Sequence, residues 1–168
     1  MPTETRPKVR VTAVSVSDRK GVKKKNIAAG FLLEDFGLQN DAHAGKWHRQ
    51  VSLLAAESIE KIRRKGLDVS PGDFAENITT EGIELWRLPV GTRLRLGADC
   101  LVEVTQIGKE CHSRCAIFHQ VGDCVMPKEG IFVRVLEGGW VKPGDTIEHQ
   151  AQCMQSEDKD VDNCRDIP

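Results

Sequence analysis

The stretch "KECHSRCAIFHQVGDC" (109–124) holds Cys111, Cys115 and Cys124 together with His112 and His119, three of the chain's six cysteines and two of its five histidines. Three kinds of chemistry fit those residue types. Cys111-x3-Cys115-x3-His119-x4-Cys124 offers four N/S ligands, enough to close a tetrahedral zinc site. The spacing departs from a zinc knuckle in two of its three gaps, and a knuckle stabilises a domain too small to have a core. A reactive thiolate is the second reading. Arg114 precedes Cys115, Lys109 lies upstream, and His112 and His119 flank it. Cationic neighbours lower a thiol's pKa, giving both a nucleophile and a soft ligand of the kind molybdenum or copper takes. The third reading is plain burial, because a free cysteine packs as a small apolar residue.

A chain of 168 residues is expected to form one domain with a core large enough to hold without staples. Net charge is −1 and the sequence pI about 6.5, so no global electrostatic footprint marks a nucleic-acid binder. The start, "MPTETRPKVR", has no apolar h-region, and the apolar runs are too short to span a bilayer. The expectation is a cytoplasmic protein with no membrane partner, in which cysteines stay reduced and serve chemistry or metal binding rather than a disulfide framework.

"KVRVTAVSVS" (8–17) alternates and is Val-rich, which predicts a strand. "DRKGVKKKNI" reads as a basic loop broken at Gly21, with Lys20, Lys23, Lys24 and Lys25 solvated. "AAGFLLEDFGLQNDAHAGKW" opens as a short strand and becomes a polar loop. A helix is predicted over 52–65, "SLLAAESIEKIRRK". There Ser52 would cap the first turn, Ala55, Ile59 and Ile62 share a face, and Gly66 stops it. Glu57–Lys61 and Glu60–Arg64 have i,i+4 spacing on its exposed side. From Pro71 onward the short alternating runs "ENITTEGI", "GTRLRLG", "CLVEVTQIG", "IFVRVLEGG" and "DTIEHQ" suggest an all-β barrel or sandwich, with Gly130, Gly138 and Gly139 in turns. The acidic, aperiodic tail (151–168), with Cys153 and Cys164, is expected to be disordered and separate from a domain spanning 1–150.

Four blocks in order carry a family resemblance: "NDAHAGKWHRQVSLL" (40–54), "PGDFAENITTEGIELWRLPVGTRLRLG" (71–97), "VTQIGKECHSRCAIF" (104–118) and "MPKEGIFVRVLEGGWVKPGD" (126–145). Over roughly Lys8 to Glu148 the chain resembles a stand-alone MOSC domain, the module found at the C-terminus of molybdenum cofactor sulfurases and in mitochondrial amidoxime-reducing proteins. The resemblance implies a mainly β fold, a closed or partly open barrel like that of pyruvate kinase, with one clear amphipathic helix and short extra ones. It also implies binding of the molybdenum cofactor, a pterin-dithiolene carrying a phosphate, or carriage of sulfur as a persulfide for cofactor and metal–sulfur cluster assembly.

The family's hallmark cysteine falls, by its place in the "RC" step before "AIF", on Cys115. It would ligate molybdenum or hold the persulfide, with Arg114 and His112 beside it. Cys111 is extra to that pattern and would either resolve a persulfide or pack. Asp41, His43, His48 and Arg49 share a polar loop, and the resemblance makes Asp41, His43 and Arg49 candidates for the cofactor's polar groups. An Arg fork matches phosphate oxygens. For Arg49 the alternative is an ion pair, with Asp41 as one partner; for His43 it is an ordinary loop hydrogen bond. Asn77, beside Glu76 in "GDFAEN", is a further candidate, with bracing of a turn as its alternative. Arg134 alternates with Val133 and Val135, so it faces either a site or solvent. No pyridoxal-phosphate lysine site is expected in a chain this short. A cysteine desulfurase or a molybdoenzyme would act in trans. Reduction of N-hydroxylated compounds and a non-catalytic zinc-stabilised module are the alternatives in function.

Overall fold

The computed structural model describes residues 8–108 and 125–150. Cys111, His112, Arg114, Cys115, His119, Cys124 and the tail lie outside them. Eight strands form one mixed sheet in the order β11-β7-β8-β9-β5-β6-β1-β2. They are β1 Arg10–Val16, β2 Lys25–Ile27, β5 Val51–Ala55, β6 Ile78–Glu81, β7 Arg93–Leu96, β8 Cys100–Ile107, β9 Ile131–Glu137 and β11 Ile147–Gln150. The β5–β6 pair is parallel and the other neighbours are antiparallel. A second sheet orders β10 (Gly139–Val141), β3 (Gly30–Leu33) and β4 (Gly37–Leu38).

The large sheet curls until β11 comes alongside the start of β1. An isolated bridge joins Arg10 to Thr146, and Val11 N donates to Asp145 O at 2.8 Å, Gly144 N to Val11 O at 2.7 Å and Ile147 N to Val9 O at 2.9 Å. No continuous ladder closes β11 onto β1 among the described residues, so the architecture is a partly open barrel. Inward-facing Val11, Leu53, Ile78, Leu94, Val102, Val104, Val133 and Val135 fill it. Every second residue enters this core along β5, β7, β9 and most of β8, as alternation requires, while a bulge in β1 spaces Val11 and Val14 by three. A smaller cluster of Leu54, Ile59, Ile62, Val69, Phe74, Val125, Met126 and Phe132 covers the sheet's outer face under α1 (Ala56–Arg63) and α2 (Met126–Glu129).

Two readings need correcting. The helix is Ala56–Arg63, its N-cap is Ala55 with no side-chain cap, and Ser52 lies in β5 instead. All five residues of β5 are buried between β6 and β9, and a run buried on both faces carries no period to separate strand from helix. Ile59 and Ile62 do form the buried face, and Gly66 follows with φ +93°. Glu60 meets Arg64 at 3.9 Å, whereas Glu57 accepts from Gly82 N at 2.8 Å and Lys61 pairs with Glu129 at 2.6 Å. The second correction is β10: Gly139, read as a turn, begins a strand paired with β3. Added side-chain bulk there would meet Asp99 at 2.7 Å, so glycine is what lets this strand lie so close to its neighbour.

Candidate functional site

The polar loop after β4 is organised around a buried ion pair. Lys24 Nζ lies 2.7 Å from Asp41 Oδ1, and both side chains are 0 % exposed. Lys24 therefore does not belong to the solvated loop its KKK context predicts. Its backbone is clamped as well: Lys24 N donates to Gly72 O at 2.9 Å, and Gly72, at φ +94°, comes so close that a Cβ would sit 2.4 Å from Lys24 O. Glycine alone tolerates that approach and that φ. Asp41 also accepts from Ser17 N at 3.1 Å and from His43 N at 3.0 Å. Burial alone would raise its carboxyl, but the Lys24 ammonium, the Ser17 amide and the Asn77 side chain outweigh it and hold Asp41 below the usual carboxylate value. Asp41 thus faces inward, and Lys24 rather than Arg49 is its ion-pair partner.

His43 and Arg49 converge on a narrow crevice of about 40 Å³ walled by Phe74, Met126 and Phe132. Arg49 Nε donates to Gln106 Oε1 at 3.0 Å, and its guanidinium lies 5.2 Å from the centre of the Phe132 ring. Its terminal nitrogens have no partner among the described residues. Gln106 is the hinge of the site and was missed in the sequence. Strict alternation would send it into the core with Val102 and Val104. A register shift between Val104 and Gln106 instead pairs Gln106 with Phe132 and turns it to the outer face. The same Oε1 lies 3.0 Å from His48 Nε2, while Gln106 Nε2 donates to Gly108 O at 2.9 Å.

On the other side of His48 opens a wider cleft of about 470 Å³ lined by Lys46, Trp47, His48, Glu103 and Arg134 among others. Arg134 faces this cleft, away from Val133 and Val135, and pairs with Glu103 at 3.1 Å. Its size is within the range of small-molecule sites, and an aromatic wall beside cations suits a flat, anionic heterocycle. Asn77 is elsewhere. It is fully buried, accepts from Ser52 N at 3.1 Å and donates to Ser15 O at 3.2 Å, so it braces β1, β5 and β6.

Glu76 is buried beside it with its carboxylate inside its own turn. Gly72 N donates to Oε1 at 2.5 Å, Phe74 N to Oε2 at 3.2 Å and Thr79 Oγ1 to Oε1 at 3.2 Å. Burial pushes its pKa up to about 7 against these donors. Cys100 packs in the core and its thiol is pushed up to about 11, by burial first and then by Asp99 and Asp145. It is an inert cysteine. Among the described residues no group of three His, Cys, Asp or Glu side chains is placed to hold a metal ion, and no helix is long and apolar enough to cross a membrane.

The MOSC domain model matches residues 40–148, and the chain belongs to that family. Its fold is similar to that of the YuaD protein from Bacillus subtilis, with a TM-score of 0.70 at 19% identity over 86% of this chain and 97% of that one. It is also similar to YiiM from Geobacillus stearothermophilus, with a TM-score of 0.63 at 20% identity over 88% and 77% of the two chains. A curated relative, the FAD-dependent monooxygenase OpS4 of Beauveria bassiana, is 27% identical over 125 residues, 74% of this chain. Those residues span 28% of that relative's length.

Proposed function

We propose that this MOSC domain binds the molybdenum cofactor, or passes sulfur toward it, through the thiolate of Cys115. The observation that carries the reading is where the cysteine-rich segment is tethered. Its upstream end leaves β8 one residue past Gln106, which holds Arg49 and His48. Gly108 donates to Gly130 O at 2.6 Å, and its φ of +71° and closeness to Pro127 O, 2.3 Å from a would-be Cβ, demand glycine. Its downstream end returns at Val125, next to Met126 in the crevice wall. Both tethers therefore stand beside the cationic groups.

The residues fit the cofactor in kind. Arg49 would take phosphate oxygens through its outer nitrogens, the Trp47 face would lie along the pterin, and Lys46, His48 and Arg134 would surround the wider cleft. The crevice itself has room for a small anionic group rather than a whole pterin. Bound there, the cofactor would supply redox and sulfur chemistry at its metal. As a sulfur carrier, the Cys115 thiolate would attack the outer sulfur of a persulfide on a cysteine desulfurase acting in trans. The new S–S bond then forms on Cys115 as the old one breaks, and the donor's thiolate leaves.

Metal and pterin analysis of protein purified from a host that makes the cofactor tests this reading. Molybdenum and pterin together, or persulfide sulfur accepted from a desulfurase, support it; stoichiometric zinc with neither overturns it. Cys115→Ser is expected to abolish both molybdenum ligation and persulfide uptake in a folded protein, while Cys111→Ser retains them. Limited alkylation should label Cys115 ahead of Cys100, which stays unmodified until the protein unfolds. An inert Cys115 sinks the assignment. Arg49→Ala removes a charge-assisted hydrogen bond and is expected to weaken cofactor binding by about 10- to 100-fold. Arg49→Lys should fall in between, because Lys lacks the planar fork. Equal affinity in all three proteins would remove Arg49 from the site.

A further inference from the structure

Thr105 and Gln106, at the register shift in β8, both reach the step from His48 to Arg49. Thr105 Oγ1 contacts His48 O and lies 3.1 Å from Phe132 O, which holds the backbone just ahead of Arg49. Gln106 holds the side chain. The orientation of its amide is set at both ends. Arg49 Nε can only donate, so the atom 3.0 Å from it is the amide oxygen. Gly108 O can only accept, so the atom 2.9 Å from it is the amide nitrogen. His48 Nε2 stands 3.0 Å from the same amide oxygen. A flipped amide would set donor against donor at Arg49 and acceptor against acceptor at Gly108, losing both bonds at once.

A guanidinium offers an oxyanion two forked edges, one made by Nε with an Nη and one made by the two Nη groups. On Arg49 the first edge is taken by Gln106, and Phe132 lies against the guanidinium with its ring centre 5.2 Å from Cζ. We propose that Gln106 is a positioning residue: its amide closes the Nε edge of Arg49 and presents the Nη edge to the crevice, so that an oxyanion is gripped end-on. The oxyanion's presence there rests on the functional reading above; the restraint on Nε does not. A crevice of about 40 Å³ suits the end of a small anion. Ordering a long, rotamer-rich side chain before the ligand arrives removes that cost from binding. The neutrality of the amide matters as well. A carboxylate in its place would restrain Arg49 but cancel the charge that an oxyanion needs, whereas Gln106 restrains without neutralising. The bulge in β8 is what turns this amide outward to do so.

Side-chain proton–nitrogen spectra of the 15N-labelled full chain, recorded without cofactor, read the restraint directly. Arg49 is assigned by the cross-peak lost in Arg49→Ala. Its Nε–H should exchange slowly with water, and the protection should vanish in Gln106→Met, which keeps the length and removes the amide. A wild-type Nε–H that exchanges freely overturns the proposal, and this decides even if the variant fails to fold. Titration with inorganic phosphate then reads the grip. In the wild type the Nη signals should shift while Nε–H stays protected; phosphate that displaces Gln106 from Nε overturns the end-on geometry. Gln106→Met should weaken phosphate binding by about tenfold and leave the weaker binding of Arg49→Ala unchanged, because it acts through Arg49. Unchanged affinity in Gln106→Met, or an equal loss in both backgrounds, overturns the proposal and leaves the functional reading untouched. Phosphate that moves no Arg49 signal in the wild type overturns the grip together with the assignment of Arg49 to the cofactor's phosphate.

Discussion

Lys24→Met is expected to destabilise the fold by about 3–5 kcal/mol, because it removes one partner of a buried ion pair and leaves the other charge uncompensated. Methionine keeps the length of the side chain and removes the ammonium. Asp41 would keep the amides of Ser17 and His43 but lose its cation at 2.7 Å. Ser17 Oγ would lose a donor in the same step. Thermal or denaturant unfolding at neutral pH measures the loss. Asp41→Asn in the Lys24→Met background should recover part of it, since a neutral amide has no charge to desolvate.

The pH dependence gives the same prediction a second handle. In the wild type the lowered Asp41 value means that its contribution is present above the ordinary carboxylate value of 3.8 and is lost as pH falls through the folded value. In Lys24→Met, burial acts without the compensating ammonium, so the carboxyl takes up its proton earlier on acidification. The gap between the two proteins should then narrow toward acid. A gap of constant size would mean that Lys24 stabilises by packing its methylenes rather than by its charge.

This pair shows where the sequence stops being legible. Strands β7, β8 and β9 follow from alternation, because each has one face in the barrel core and one outside. β1, β6 and β11 are legible from their β-branched residues and flanking turns, although a bulge interrupts β1 and both faces of β6 are covered. β5 shows no alternation, since both its faces are covered, and β10 hides behind two glycines. Asp41, His43 and Arg49 stand out as polar residues in one loop, and the structure does place them within one neighbourhood. Which of them faces the crevice is a tertiary matter: Asp41 turns inward, while His43 and Arg49 line it. Nothing in "KKK" distinguishes Lys24 from Lys23 and Lys25, because what buries it is the approach of Gly72, nearly fifty residues away. Gln106 is concealed by a bulge, a one-residue slip that moves a side chain to the opposite face without leaving a pattern behind.

Glu76 yields the second large effect, with the opposite sign to Asp41. Its carboxyl is raised from 4.5 to about 7, chiefly by burial, although three donors reach its oxygens. Between those values the folded protein holds a proton that the unfolded chain has released. The contribution of Glu76 is therefore fully present below about pH 4.5 and is lost as pH rises through about 7. At roughly 1.4 kcal/mol for each pH unit of that window, the loss amounts to about 3 kcal/mol. Stability measured by denaturant unfolding should fall across this range and level off above it. Glu76→Gln removes the titration and should flatten that slope. It also places an amide N–H against the N–H of either Gly72 or Phe74, which costs about 1–3 kcal/mol. The variant should thus be the less stable protein at pH 5, with the two curves approaching each other as pH rises toward about 7 and running parallel above it. A Glu76→Gln curve that runs parallel to the wild type between about pH 5 and pH 7 would show that the folded protein holds Glu76 ionised there, by its three donors and in spite of burial.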